Sequence, residues 1–201
     1  MAGLPAGIGW PRLVLASASP RRRQLLEQLG VDLIVRRPDI DEGAGCAEDP
    51  IRTALLLARR KAQAVAATLA GPELKRLVVA ADTVVCYRHH VLGKPTDDSD
   101  AARMLRLLSG RWHHVITGLC LLDPRTGRSA RGHELTNVRF RALSPDEIRR
   151  YVQSGEPMDK AGAYGIQGLG ALLVARVDGC YFNIVGLPLV RLNAMIGRMA
   201  R

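Results

Sequence analysis

Aromatic side chains are scarce in this chain of 201 residues: two Trp, four Tyr and two Phe make up 4% of it. So few rings are too sparse for the stacking platforms that hold single-stranded nucleic acid. Cysteine is rarer still. Cys46, Cys86, Cys120 and Cys180 lie far apart with no CxxC pair, so neither a zinc knuckle nor a dithiol motif is indicated and reduced core thiols are expected. The histidines, His89-His90, His113-His114 and His133, show no HExxH spacing, and no GxSxG serine accompanies them. They are expected to be exposed loop and strand residues, not metal ligands. Long apolar runs are missing too: none reaches the roughly 18 residues of a membrane span. Residues 1–11 have neither the basic start nor the apolar core of a signal peptide. The expectation is a soluble cytoplasmic protein without internal repeats.

Positive charge, by contrast, is abundant. Lys and Arg number 29 against 19 Asp and Glu, a net charge of +10. Such a surface attracts phosphate polymers regardless of sequence. The cations are nevertheless scattered instead of gathered in one arm, and small anionic substrates explain part of the charge equally well. A nucleic-acid partner is therefore not expected. The 47% hydrophobic content suits one large domain or two small lobes sharing a core.

Residues 13–23, LVLASASPRRR, open the first structural unit. Leu13 to Ala16 read as a short buried strand, followed by Ser19 as N-cap and Pro20 in the first helical turn. Arg21, Arg22 and Arg23 then face the positive end of the helix dipole, an unfavourable placement of roughly 0.3–1 kcal/mol each. Either they are solvated surface charges, or the turn's free N–H groups, the Ser17 and Ser19 hydroxyls and the guanidinium forks form a phosphate receptor.

The first helix ends at Gly30, and a strand over 31–35 runs into a loop carrying Asp39, Asp41 and Glu42, carboxylates that by themselves read as solvated. Asp49-Pro50 starts an Ala-rich helix ending near Gly71-Pro72, with Ala54, Leu57, Ala58, Ala62, Val65 and Leu69 inward. Lys61 falls on that inward stripe, where it either snorkels to water, the default, or meets a buried anion. The strongest strand covers 76–86 and is interrupted only by Asp82. An ionised carboxylate there should face a cation, a metal or a polar cleft, or else cap backbone donors at the strand's end.

A tight loop, Val91-Leu92-Gly93-Lys94-Pro95, precedes a helix over 97–108. Two antiparallel strands, 112–122 and 129–141, flank the turn at 123–127, and Ser144-Pro145 starts a helix ending at Gly155. Residues 156–170, EPMDKAGAYGIQGLG, are too rich in glycine for a helix or a plain strand and allow backbone to approach a ligand closely. Strands at 171–177 and 181–185 and a terminal helix complete the reading.

The order SASPRR, IDE, ADTVV, LGKP, DKAGAYGIQG and GLPL resembles the Maf family of nucleoside triphosphate pyrophosphatases, from about Arg12 to the last helix. The DKAGAYGIQG form is similar to the branch acting on dTTP and UTP. The resemblance implies an α/β fold of two lobes around a curved mixed β-sheet with flanking helices, similar to inosine triphosphate pyrophosphatases. Residues 12–201 would form a single domain with a central cleft, and residues 1–11 a loosely packed arm. It further implies metal-dependent hydrolysis to monophosphate and pyrophosphate, clearing non-standard or excess pyrimidine nucleotides. Mg2+ or Mn2+ would be the metal and a homodimer the assembly. Family roles fall on Asp82 and Glu42 as catalytic and metal-binding residues, and on Ser17, Ser19, Arg21, Arg22, Lys61, Lys94 and Gln167 as substrate-binding residues. The family's association with septum formation leaves a second reading, a basic regulator that binds without catalysis.

Overall fold

The computed structural model describes residues 9–41, 49–88 and 90–199. Its sheet has seven strands in the order β2-β1-β3-β5-β6-β7, with β4 paired to β3. These strands are β1 (Leu13–Ala16), β2 (Leu33–Arg36), β3 (Leu77–Tyr87), β4 (His90–Leu92), β5 (Trp112–Leu122), β6 (Ser129–Phe140) and β7 (Val174–Asp178). The helices are α1 (Pro20–Gln28), α2 (Pro50–Ala66), α3 (Asp98–Leu108), α4 (Pro145–Gln153), α5 (Tyr181–Val185) and α6 (Leu189–Met199). β1 runs parallel to β2 and β3, whereas β4 and β7 are antiparallel to their neighbours, so the sheet is mixed and the fold is α/β. The chain divides into two compact units, one of residues up to Asp82 with 118–133 and the segment from Leu189, the other of 83–117 and 134–188.

In the first unit, β1 lies between β2 and β3 and is wholly buried. Its core joins Val14 and Ala16 to Val78, Ala80 and Cys120 and to the inward stripe of α2, Ala58, Ala62 and Val65. Small side chains on both faces let the helix lie close to the strands. Trp10, in the described part (9–11) of the expected N-terminal arm, donates its indole N–H to Asn193 of α6 at 2.8 Å.

The second unit packs α3 and α4 against its strands. Leu105, Leu108, Val115, Phe140, Ile148 and Tyr164 form its centre. Capping signals hold as the sequence reading expects: Asp97 accepts from the Asp100 amide, and Ser144 forms a reciprocal capping box with Glu147.

Four local expectations are corrected. Residues 181–185 are helix, not strand. Tyr181, Phe182, Ile184 and Val185 favour strands, but a five-residue run has no diagnostic period. Helical winding buries Asn183 completely, so that its amide donates to the Val115 carbonyl and to Thr136 Oγ1, both at 2.9 Å. The strand expected from 171 starts only at Val174, because 168–173 winds as a 3-10 turn. α2 ends at Ala66, and 71–75 forms a separate 3-10 turn that begins at Gly71 with φ 54°. Finally, His113 is not an exposed strand residue but is 1% exposed, with Nε2 2.7 Å from the Tyr164 hydroxyl.

Candidate functional site

In the first unit the parallel register sets the site. Ala16, the last residue of β1, lies level with Arg36 at the end of β2 and with Ala80 of β3. Three stretches singled out in the sequence therefore lie level at the carboxyl ends of β1 and β2: the SASPRR turn after β1, the loop after β2, and Asp82, which stays within β3 two residues beyond Ala80. Ligands of open α/β sheets bind at such carboxyl ends.

The SASPRR turn is organised by its own hydroxyls. Ser17 is 3% exposed and accepts the Ser19 amide at 3.1 Å and Arg22 Nη1 at 3.2 Å. Ser19 caps α1, accepting from the Arg22 amide. Arg22 is thereby folded back into the turn and is 8% exposed. Arg21 is half-buried, while Arg23 lies on the surface, paired with Glu27 one turn on.

Lys61 of α2 does not snorkel. Its Nζ donates to Asp82 Oδ1 at 2.5 Å, and the side chains are 7% and 9% exposed. The inward lysine of one element thus answers the costly carboxylate of another, and each explains the other's position. Glu42 lies outside the described residues. Among the described residues, no group of three or more His, Cys, Asp or Glu is arranged to hold a metal ion. A magnesium ion needs no such cage, since it keeps several waters and is commonly held by one or two carboxylates together with substrate phosphates. Asp82, a hard oxygen donor beside the buried Lys61 ammonium, fits that requirement.

Lys94 and Gln167 belong to the second unit, and both are exposed. Their loops are tied together by the Gly162 amide, which donates to the Gly93 carbonyl at 3.0 Å. The glycine-rich loop also wraps around two residues that sequence reading passed over, Tyr151 and Glu156. Tyr151 donates to Glu156 Oε1 at 2.9 Å, and the Leu169 and Gly170 amides donate to the same carboxylate at 2.9 and 3.0 Å. Burial by itself would raise the Glu156 carboxyl, but the Gly170 and Leu169 amides, the Tyr151 hydroxyl and the Lys160 ammonium hold it below its ordinary value. Burial, reinforced by Glu156, pushes the Tyr151 hydroxyl up and keeps it a donor. Only the spacing of Glu156 ahead of a glycine cluster hinted at this role.

The described cysteines have no disulfide partner: Cys86 and Cys120 are buried, Cys180 is half-buried, and Cys46 is outside the described residues. Burial raises the Cys86 thiol and pushes Cys120 up to about 11, which disfavours the reactive thiolate form of each. A cavity of about 780 Å³ in the first unit, lined by Trp10, Lys75, Arg76, Arg125 and α6, contains none of the motif residues. No helix among the described residues is long and apolar enough to cross a membrane.

A mixed α/β sheet thus carries a buried Lys–Asp pair and an arginine-bearing strand-to-helix turn at the carboxyl ends of its parallel strands. The model of the Maf-like protein family matches residues 12–199, and the chain belongs to that family. It is 50% identical to a dTTP/UTP pyrophosphatase of Syntrophomonas wolfei over 184 residues, covering 92% of this chain and 95% of the relative. A dTTP/UTP pyrophosphatase of Caldicellulosiruptor bescii is 45% identical over 188 residues, 94% of each chain. A solved nucleoside-triphosphatase (dITP/XTP pyrophosphatase) from Mycobacterium abscessus aligns with 66% of this chain and 75% of its own, at 16% identity and a TM-score of 0.41.

Proposed function

We propose that this chain hydrolyses dTTP and UTP to the nucleoside monophosphate and pyrophosphate. The observation that carries the proposal is the buried Lys61–Asp82 pair beside the SASPRR turn, in a chain half identical to enzymes of that name.

A nucleoside triphosphate carries about four negative charges at neutral pH, and Arg21, Arg22, Lys61 and Lys94 are assigned to offset them. Asp82 is assigned to orient and deprotonate the attacking water. The water oxygen forms a bond to the α-phosphorus, the bond to the bridging α–β oxygen breaks, pyrophosphate leaves, and the water's proton passes to the carboxylate. Glu42 is assigned to share this base role or metal binding. Asp82 and Glu42, together with the substrate phosphates, would hold Mg2+ or Mn2+, which would neutralise further charge on the phosphate oxygens. Ser17 and Ser19 hold the arginine-bearing turn in shape and complete the phosphate receptor. The Gln167 amide both donates and accepts, which suits the O4 and N3–H edge of uracil or thymine.

The assignments for Lys94, Gln167 and Glu42, and assembly as a homodimer, rest on the motif resemblance. No observation favours the alternative of a regulator that binds without catalysis.

Pyrophosphate release from a nucleotide panel with Mg2+ or Mn2+ tests the proposal. Release from dTTP and UTP, its loss in EDTA and in a folded Asp82→Asn variant, and its return with added metal are expected. Absence of release from every nucleotide, or normal turnover by Asp82→Asn, would overturn it.

A further inference from the structure

Gln167 sits in extended backbone between two anchored stretches. On one side the Gly165 amide donates to the Tyr151 hydroxyl at 3.3 Å. On the other, Glu156 accepts the Leu169 and Gly170 amides, which are the first donors of the 3-10 turn over 168–173 and would otherwise lack helical partners. The Tyr151 hydroxyl joins the two sides by donating to Glu156. Lys160 closes the far end, its Nζ donating to the Glu156 carbonyl at 2.5 Å and to Asp159 at 2.6 Å.

The glycines of the loop record the same packing. A Cβ on Gly168 would lie 2.7 Å from Glu156 Oε2, and that residue has φ 70°. One on Gly170 would lie 2.1 Å from the Gly165 carbonyl oxygen and 2.7 Å from the Tyr151 hydroxyl. Close approach is therefore required here, but to the protein's own carboxylate and phenol. That is a different reason for the glycines from the one their clustering suggests in the sequence, an approach to ligand.

We infer that Glu156, supported by Tyr151, is the positioning residue that sets base selectivity, by holding the loop that presents Gln167 to the imide edge of a pyrimidine ring. The inference rests on the proposed dTTP/UTP activity and adds to it the group that fixes the reading side chain. A carboxylate is needed because one group must accept from two backbone amides and a hydroxyl at once. A glutamine would keep the shape but turn a donor towards one of those amides. Loop misplacement of this kind weakens discrimination without touching the groups that carry the phosphoryl chemistry.

The test is a double-mutant cycle of Glu156→Gln and Gln167→Ala, with dTTP and dCTP as substrates and amide exchange at Leu169 and Gly170 as a second readout. For Glu156→Gln, the dTTP-over-dCTP ratio of kcat/KM is expected to fall roughly 10-fold, through KM for dTTP, with kcat changed less than about 2-fold. The double variant should discriminate no worse than Gln167→Ala, since the two act through one contact. Exchange protection at Leu169 and Gly170 should drop while that of the Val115 amide in β5 holds. An unchanged substrate ratio, additive effects in the cycle, or unchanged protection would each overturn the inference. Wild-type protein inert toward both dTTP and UTP would remove the functional reading and the selectivity role with it. Lost protection in the variant would even then establish Glu156 as the loop's anchor.

Discussion

A lysine on the inner face of a helix and an aspartate inside an apolar strand are each expensive alone, and here they meet at 2.5 Å. Removing one partner should therefore cost more than removing both. Lys61→Met, which leaves Asp82 buried without its ammonium, is expected to lose about 3–5 kcal/mol of stability in urea unfolding. Lys61→Met with Asp82→Asn should lose clearly less than the single lysine variant. A double variant as unstable as the sum of its singles would show that the two side chains are not coupled. The inward position of Lys61 is readable from its place four residues after Leu57, and the oddity of Asp82 from its apolar neighbours. Their pairing is not readable, because 21 residues of chain separate them and only the packing of α2 on the sheet closes that distance.

Among the elements, those with local capping chemistry follow their sequence closely. Ser19-Pro20, Asp49-Pro50 and Ser144-Pro145 each start a helix where the side chain meets a backbone amide two or three residues on. α5 escaped because what settles it is a non-local bond, Asn183 to Val115 across 68 residues. The seat of α2 is likewise a tertiary matter. Gly118 of β5 touches the helix so closely that a Cβ would lie 2.4 Å from the carbonyl carbon of Ala54. Gly118→Ala is expected to push α2 off the sheet, to cost about 1–3 kcal/mol in thermal or urea unfolding, and to lower kcat/KM by displacing Lys61. Wild-type stability and activity in that variant would show that the contact yields without moving the helix.

For the molecule as a whole, acid sensitivity is expected to arise in the core of the second unit. His113 packs edge-on against Phe140 and Tyr164. Burial lowers its pKa to about 4; the nearby His114 adds to the fall and the Arg111 backbone opposes it. An unfolded histidine titrates near 6.5, so the unfolded chain gains the proton first. Stability is complete above pH 6.5 and falls as pH drops towards 4, by an amount on the order of 3 kcal/mol in total. Urea midpoints between pH 4 and 7 check this. The His113→Asn variant should lack that part of the slope, and an identical slope in variant and wild type would assign the acid loss elsewhere.

The sequence by itself determined the α/β class, the start of the major helices and the family, because caps, periodicities and motifs are local and each carries its own chemistry. It also marked the SASPRR turn, Lys61, Asp82 and the glycine-rich loop as unusual. Only the tertiary structure decided what satisfies them. Ser17 folds Arg22 back into its turn, Lys61 answers Asp82, and Glu156 draws the glycines around itself. The physical reason is common to the last two, whose partners lie 21 and 14 residues away along the chain, whereas Ser17 and Arg22 share one turn. A buried charge or an unpaired amide announces in the sequence that it needs a partner, but the partner is chosen by which elements the sheet and its packed helices bring within hydrogen-bonding distance.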